Sequence, residues 1–215
     1  MGIQERKERE RERRRQQIMV AAKRVFMEKG FSRATMEDIA GVAELSPGTL
    51  YLYFKNKDEL YASLSLRVLQ YLNIRIEQLL NKKDGTPSEH IAELKQAMLD
   101  VYEFDPLVLI NMFHLQSSET LKNLSPDLLE RIQTLSRASL DNIAKIFENG
   151  ISQGVFHDCH PRALSDVVWA MFSGVVLWEE SKKLVNESKD YLKSTLDTAF
   201  AIFERGLRSE PDSSS

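Results

Sequence analysis

Residues 35–54 read Thr35-Met-Glu-Asp-Ile-Ala-Gly-Val-Ala-Glu-Leu-Ser-Pro-Gly-Thr-Leu-Tyr-Leu-Tyr-Phe54. Thr35 with Asp38 three residues later is typical of a capping box at the start of a helix. Ser46 before Pro47 indicates a second helix start, because serine is a good N-cap and proline fits the first helical position. The pattern therefore predicts two short helices joined by a tight turn through residues 43–45, the layout of a helix-turn-helix unit.

The second of these helices, predicted over residues 46–53, has an unusual outer face. Leu50 and Phe54 are four residues apart and are expected to pack inward. The opposite face holds Gly48, Thr49, Tyr51 and Leu52. A glycine and an apolar side chain facing solvent are odd on an ordinary surface helix. They fit a helix that enters the major groove, where the backbone comes close, hydroxyls bond phosphates or base edges, and leucine touches a thymine methyl.

The flanking segments complete this N-terminal region. A preceding helix carries one apolar stripe, made of Ile18, Ala21, Ala22, Val25 and Phe26. Asn56 with Glu59 predicts a further helix start, where Lys57 adds positive charge to a helix N-terminus and so favours a phosphate.

The first residues of the chain carry mixed charge. The predicted intrahelical ion pairs are Glu10–Arg14, Glu8–Arg11, Glu10–Arg13 and Glu12–Arg15. Two interpretations stay open, a solvated helical extension and a DNA contact. In the second case Arg13, Arg14 and Arg15 are the candidates, against the DNA backbone or an adjacent minor groove.

The rest of the chain is predicted to be helical. Five of the six prolines in the whole sequence stand where helices begin, and no segment alternates polar and apolar residues over the length of a strand. The predicted helices are 5–29, 35–42, 46–53, 57–81, 87–103, 106–120, 126–153, 161–185 and 188–208. We therefore predict an all-α fold of about nine helices.

Charge and composition limit the classes of function that this chain can have. The net charge of −3 is the sum of +5 over residues 1–57 and −8 over the remaining residues. The basic N-terminal region is therefore expected to bind a polyanion. The single cysteine, Cys159, and the absence of a signal peptide or an eighteen-residue apolar run indicate a cytoplasmic protein without membrane contact. We find no catalytic motif and expect no enzyme and no cofactor. The segment 157–160 (His-Asp-Cys-His) is interpreted as a polar turn rather than a metal site.

Two stretches, Ile18 to Ala40 and Ser46 to Leu60, resemble the DNA-binding domain of the TetR family, and the resemblance covers about residues 12–72. One departure is Glu44, in a turn where family members often have glycine. The resemblance implies four segments: a charged extension (1–11), a helix-turn-helix domain (12–72, with the motif at 35–54), a ligand-binding and dimerisation domain (73–208) and a disordered tail (209–215). In this scheme the domain 12–72 is expected to be a three-helix head, and the long helix 57–81 is expected to join it to the C-terminal domain.

The resemblance also implies sites. The residues expected to contact DNA are Thr35, Ser46, Pro47, Gly48, Thr49, Tyr51, Leu52, Tyr53 and Lys57. The expected ligand pocket holds Met98, Tyr102, Leu107, Ile110, Phe113, His114, Ile143, Phe147, Trp169 and Phe172. The expected homodimer interface, a four-helix bundle, holds Val168, Val175, Leu196, Phe200 and Phe203.

These features predict a transcriptional repressor. It would bind a palindromic, double-stranded operator as a homodimer and be released by a small apolar effector. The alternative is a helical DNA-binding regulator that a partner protein controls instead of a small molecule. A helical head attached to an enzyme is a weaker alternative, since no catalytic constellation is present.

Overall fold

The computed structural model describes residues 2–82, 84–116, 119–183, 185 and 190–208. Within these ranges it contains nine α-helices, one 3₁₀ turn at Glu119–Asn123 and no β-strand. The helices are α1 (Ile3–Arg33), α2 (Met36–Val42), α3 (Pro47–Tyr51), α4 (Lys57–Leu80), α5 (Pro87–Phe104), α6 (Pro106–Gln116), α7 (Pro126–Ser152), α8 (Pro161–Lys183) and α9 (Leu192–Leu207). The predicted all-α fold is confirmed.

Prolines begin five of the helices, as predicted: α3, α5, α6, α7 and α8. Proline is tolerated there because a first-turn N–H has no intrahelical acceptor and the fixed φ suits the helix. At α5 the predicted capping box is also present. The Glu89 N–H donates to the Thr86 hydroxyl at 3.3 Å, and the Glu89 carboxylate accepts the Thr86 N–H at 2.7 Å.

Several helix boundaries differ from the prediction. Helix α1 starts at Ile3 and runs to Arg33, and Gly30 inside it has a φ of +74°. Gly30 therefore breaks the helix where the sequence predicts its end, but one further turn follows. The predicted helix 106–120 ends at Gln116 and gives way to the 3₁₀ turn, and α9 starts at Leu192 instead of 188. Residues 186–189 and the tail 209–215 lie outside the described part of the chain.

The chain divides into two compact units. The first comprises Met1–Arg67 and His114–Arg131, and the second comprises Val68–Phe113 and Ile132–Ser215. Helix α4 contributes residues to both. The domain boundary at residues 72 and 73 stays a prediction. Among the helices described, none is long and apolar enough to cross a membrane.

Each unit has its own apolar core. In the first, Phe26, Phe31 and Tyr61 form an aromatic cluster with ring centroids 4.7 to 5.6 Å apart. In the second, α9 packs against both α5 and α8. The buried side chains of α8 and α9 include Val168, Phe172, Val176, Leu196 and Phe200.

Candidate nucleic-acid interface

The start of α2 is held by the capping box that the sequence predicts. Thr35 Oγ1 accepts the Asp38 N–H at 3.1 Å, and the Asp38 carboxylate accepts the Thr35 N–H at 3.1 Å. Lys29 Nζ donates to the same carboxylate at 2.7 Å. The hydrogen bonds from Lys29 and from Thr35 hold the pKa of the Asp38 carboxyl below its ordinary value. The position of α2 is thus tied both to its own cap and to α1.

The turn between α2 and α3 places Glu44 in the left-handed region, with a φ of +56°. The Leu45 N–H donates to Ala40 O at 2.9 Å, and the Glu44 N–H donates to Gly41 O at 3.1 Å. These two bonds form a Schellman motif, whose left-handed position normally favours glycine. Glu44 is the only non-glycine residue with positive φ in the part of the chain that the structure describes. The turn therefore keeps the glycine geometry despite the glutamate.

Glu44→Gly is expected to stabilise this turn by about 1 kcal/mol, because it removes a Cβ from a left-handed conformation. Amide hydrogen exchange of Leu50 and Phe54 in the full-length protein measures the change, which corresponds to about fivefold slower exchange. Glu44→Ala is the matched control, since it removes the carboxylate but keeps the Cβ. Equal exchange rates in the two variants would show that the backbone carries no strain at Glu44.

Helix α3 presents two different faces, as the sequence predicts. Leu50 and Phe54 are buried at 0 and 1% exposure, whereas Leu52 is 77% exposed and Tyr51 is also exposed. Ser46 caps the helix, because its Oγ accepts the Thr49 N–H at 3.1 Å and lies 2.8 Å from the Thr49 hydroxyl. The helix is shorter than predicted. It ends at Tyr51, and a tighter bond from the Leu52 N–H to Thr49 O follows.

Two side chains of α1 brace α3 and the turn before it. Arg15 donates to Tyr53 O at 2.9 Å, and its guanidinium lies 4.4 Å from the centroid of the Phe54 ring. Gln17 Nε2 donates to Ala43 O at 2.8 Å. Arg15 is one of the arginines that the sequence offers for DNA, but its guanidinium is used inside the protein. These two braces fix the direction in which the exposed face of α3 points.

The predicted ion pairs of the N-terminal segment do not form among its described side chains. Arg14 donates instead to Gln17 Oε1 at 3.1 Å, and Glu12 accepts from Gln16 at 2.7 Å. Arg15 is drawn away by its bond to Tyr53 O. Spacing alone made these pairs possible, but uncharged partners on neighbouring turns and a backbone carbonyl compete for the same groups.

Lys57 has a structural contact that the residue pattern did not predict. Its Nζ donates to the carbonyls of Phe31 at 2.7 Å, Ala34 at 3.0 Å and Ser32 at 3.4 Å. The ammonium also lies 4.5 Å from the centroid of the Phe31 ring. An ammonium has three N–H donors, so the end of α1 uses all of them. A phosphate would have to displace one of these carbonyls, and the DNA role of Lys57 stays a prediction.

The start of α4 is capped by Asn56, as predicted. Its Oδ1 accepts the Glu59 N–H at 2.8 Å. The reciprocal half of the predicted capping box is shifted by one residue, because the Glu59 carboxylate accepts the Lys55 N–H at 2.8 Å. The start of α4 is therefore held both by Asn56 and by a bond between Glu59 and the chain just before the helix.

The predicted ligand residues do not all meet in one place. Phe113, Trp169 and Phe172 form an aromatic cluster, with centroids 5.6 to 6.2 Å apart. Phe147 instead contacts Phe203 of α9 at 5.8 Å. Met98 and Ile143 are fully buried, and Leu107 and Ile110 are half-buried. The side chain of His114 lies outside the described part of the structure.

Tyr102 belongs to a polar network that spacing along the chain gave no sign of. Its hydroxyl donates to Glu180 at 2.6 Å, and Lys183 Nζ lies 3.2 Å from that hydroxyl and 2.8 Å from Glu180. Burial, and then the hydrogen bond to Glu180, raise the pKa of the Tyr102 phenol. The network ties α5 to the last turn of α8, so Tyr102 is not a simple apolar wall residue.

The residues predicted for the dimer interface lie largely inside the protomer. Val168, Leu196 and Phe200 are buried at 0, 0 and 3% exposure within a single chain, and Val175 and Phe203 are half-buried. A side chain with no exposed surface has none left to bury against a partner. The outward face of α8 holds other residues, spaced three and four apart: Ala163, Val167, Ala170, Gly174 and Trp178. Ile202 is exposed on α9.

Comparison with known protein families matches two segments of the chain. The model described as bacterial regulatory proteins of the tetR family matches residues 18–64, and the model described as the C-terminal domain of tetracyclin repressor-like proteins matches residues 84–181. Together the two matches cover about two thirds of the sequence. The chain belongs to the TetR family. The match over residues 18–64 confirms the resemblance that the sequence shows. TetR proteins are DNA-binding transcriptional regulators and not enzymes.

Individual relatives agree with the TetR assignment. The helix-turn-helix transcriptional regulator YhgD of Bacillus subtilis is 25% identical over 169 residues, which are 78% of this chain and 85% of YhgD. The fatty acid metabolism regulator protein of B. subtilis is 29% identical over 139 residues, 64% of this chain and 68% of that protein. The crystal structure of B. subtilis FadR in complex with stearoyl-CoA has a TM-score of 0.66 at 22% identity, covering 90% of this chain and 99% of FadR. This last likeness shows a shared TetR fold.

Proposed function

We propose that this TetR regulator is a repressor that binds a palindromic operator as a homodimer and is released by a small apolar effector. The observation that carries the DNA-binding part is the outer face of α3, where Leu52 is 77% exposed beside Tyr51 and Gly48. A leucine as exposed as this one contributes little to the stability of the protein itself. In the major groove the same side chain contacts a thymine methyl, and the nearby hydroxyls reach base edges or phosphates.

Gly48 supports a close approach of DNA to α3. A Cβ built on Gly48 would lie 4.0 Å from Ser46 Oγ and, apart from its chain neighbours and the backbone of its own helix, would meet no other described atom within 4 Å. Packing within the protein therefore does not require glycine, and φ is in the ordinary helical range. A duplex lying against α3 would explain the glycine, since a side chain at position 48 would hold the backbone of the helix away from the groove.

Dimerisation is proposed through the outward face of α8 and the adjacent exposed side of α9. Val167 is 50% exposed and Ile202 is 61% exposed, and Gly174 and Trp178 are also exposed. A Cβ at Gly174 would meet nothing within 4 Å, so the site has room for another helix. Two copies of α8 and α9 would form a four-helix bundle. The pairing would set the two reading helices about 34–36 Å apart, one turn of duplex, as a palindrome requires.

The effector is proposed to bind next to the aromatic cluster of Phe113, Trp169 and Phe172. Aromatic rings of this kind line adaptable apolar pockets. The two relatives named for fatty acid metabolism and for a stearoyl-CoA complex support an acyl chain as the apolar group. Helix α4 contributes to both compact units, so we infer that coupling between effector and DNA runs along it.

The effector proposal is tested by reciprocity. We expect a long-chain acyl thioester to bind the full-length protein and to lower its operator affinity, and saturating operator to weaken the thioester by the same factor. A 100-fold factor corresponds to about 2.7 kcal/mol of coupling. Calorimetry with and without operator measures both affinities, and short-chain thioesters serve as controls. Identical affinities in the two conditions, for every thioester that binds, would contradict release by an effector of this class.

A further inference from the structure

The charged N-terminal segment is a rigid continuation of the helix that supports α3. Helix α1 is continuous from Ile3 through the buried residues Ile18 and Ala22, and no glycine or proline interrupts it before Gly30. Residues 4–13 are exposed. The direction of this segment is therefore set by the packing of the same helix farther along the chain.

One face of this segment is basic. In a helix, positions three and four apart share a face. Going back along the chain from the buried Ile18, this face carries Arg15, Arg11 and Lys7 in turn. Arg15 already contacts Tyr53 O and the Phe54 ring, so the face is directed at the chain just after α3. Lys7, Glu10 and Arg11 line a groove of about 380 Å³ together with Leu52 and Tyr53.

The positive charges of the Lys7 and Arg11 side chains are not neutralised by a partner within the described structure. Neither makes an ion pair or hydrogen bond with another residue of the described structure, and both are exposed. Glu10 is the one acidic side chain lining the groove. Two cations beside the exposed Leu52 thus extend the proposed DNA-reading surface along α1.

We infer that Lys7 and Arg11 bind operator phosphates just beyond the C-terminal end of the reading helix. The inference rests on the proposed DNA-binding function. At a rise of about 1.5 Å per residue, Arg11 and Lys7 lie about 6 and 12 Å along α1 from the Arg15 brace. Each DNA strand has one phosphate per about 3.4 Å of axis, so both side chains fall within one short run of backbone. Contacts of this kind fix the register of the protein on DNA and carry no sequence information of their own.

The chain offers a matched control for this inference. Arg9 and Arg13 are also four residues apart, exposed and without a partner in the described structure, but they lie on the opposite face of α1. Lys7→Gln/Arg11→Gln and Arg9→Gln/Arg13→Gln remove the same charge from the same helix. Glutamine is a good helix former, so both variants keep α1 helical, which circular dichroism verifies.

The measurement is operator affinity of each full-length protein between about 50 and 200 mM salt. A dimer of Lys7→Gln/Arg11→Gln loses four phosphate contacts. Each contact contributes about 0.9 to the slope of log affinity against log salt, so we expect the slope to become shallower by about 3 to 4. For Arg9→Gln/Arg13→Gln we expect a change below about 1.

Equal slope changes in the two variants, or none in Lys7→Gln/Arg11→Gln, would overturn the inference, because the basic face would then act through net charge or not at all. The failure of the proposed function looks different. In that case the wild-type protein itself would bind its operator no more tightly than random duplex, whatever the variants do.

Discussion

Val167→Glu is expected to give a folded monomer that has lost most of its operator affinity. Val167 is 50% exposed in the single chain, so a carboxylate there is solvated and leaves the protomer intact. In the proposed four-helix interface the same carboxylate appears in both copies and is buried without a partner, which costs several kcal/mol. Each monomer then binds one half-site independently of the other. The expected loss of operator affinity is about 10²- to 10⁴-fold. Sedimentation gives the oligomeric state and fluorescence anisotropy gives the affinity.

Two further variants separate this result from unfolding. Val167→Thr keeps the shape without charge and should remain dimeric. Phe200→Asp places a carboxylate where the single chain leaves 3% exposure, so it should lose helical structure rather than yield a clean monomer. An unperturbed, fully active dimer of Val167→Glu would exclude the outward face of α8 as the interface.

Leu50→Ala and Leu52→Ala, two residues apart, are expected to differ sharply in their effect on the stability of the first unit. Leu50 is fully buried beneath α3, and its truncation should cost about 2–5 kcal/mol of stability in the first unit. Leu52 is 77% exposed, so its truncation should change stability by less than about 0.5 kcal/mol. Amide hydrogen exchange of the α1–α3 amides distinguishes the two variants. Comparable destabilisation by both would mean that Leu52 is a packing residue and not part of a reading surface.

The local features of this fold could be predicted from the sequence because their causes are local. The caps at Thr35, Ser46 and Thr86 depend on residues within one turn, and the two faces of α3 follow from the spacing of Leu50 and Phe54. The positive φ of Glu44 agrees with its position in a turn where TetR family members often have glycine. In each case the chain a few residues on either side is enough to decide the conformation.

The missed features depend on partners far along the chain. Arg15 bonds Tyr53 O across 38 residues, and Lys57 bonds Phe31 O across 26. A backbone carbonyl acceptor leaves no trace in residue identity, so the sequence could not predict these contacts within the protein. For α8 the resemblance implied Val168 at the dimer interface but did not show which side of the helix faces its own chain. The structure puts Val168 inside and Val167 outside.

The central claim is that the exposed face of α3 reads operator sequence, and one affinity ratio tests it. Affinity is measured for the palindrome that the wild-type protein selects from random DNA and for a random duplex of equal length, with wild type and Leu52→Ala. We predict that wild type prefers the palindrome at least about 10³-fold. Leu52→Ala should lower that ratio about 10- to 100-fold, since the contact occurs in both half-sites, and leave the affinity for random duplex unchanged. A wild-type ratio near one, or an unchanged ratio in Leu52→Ala, would contradict the claim.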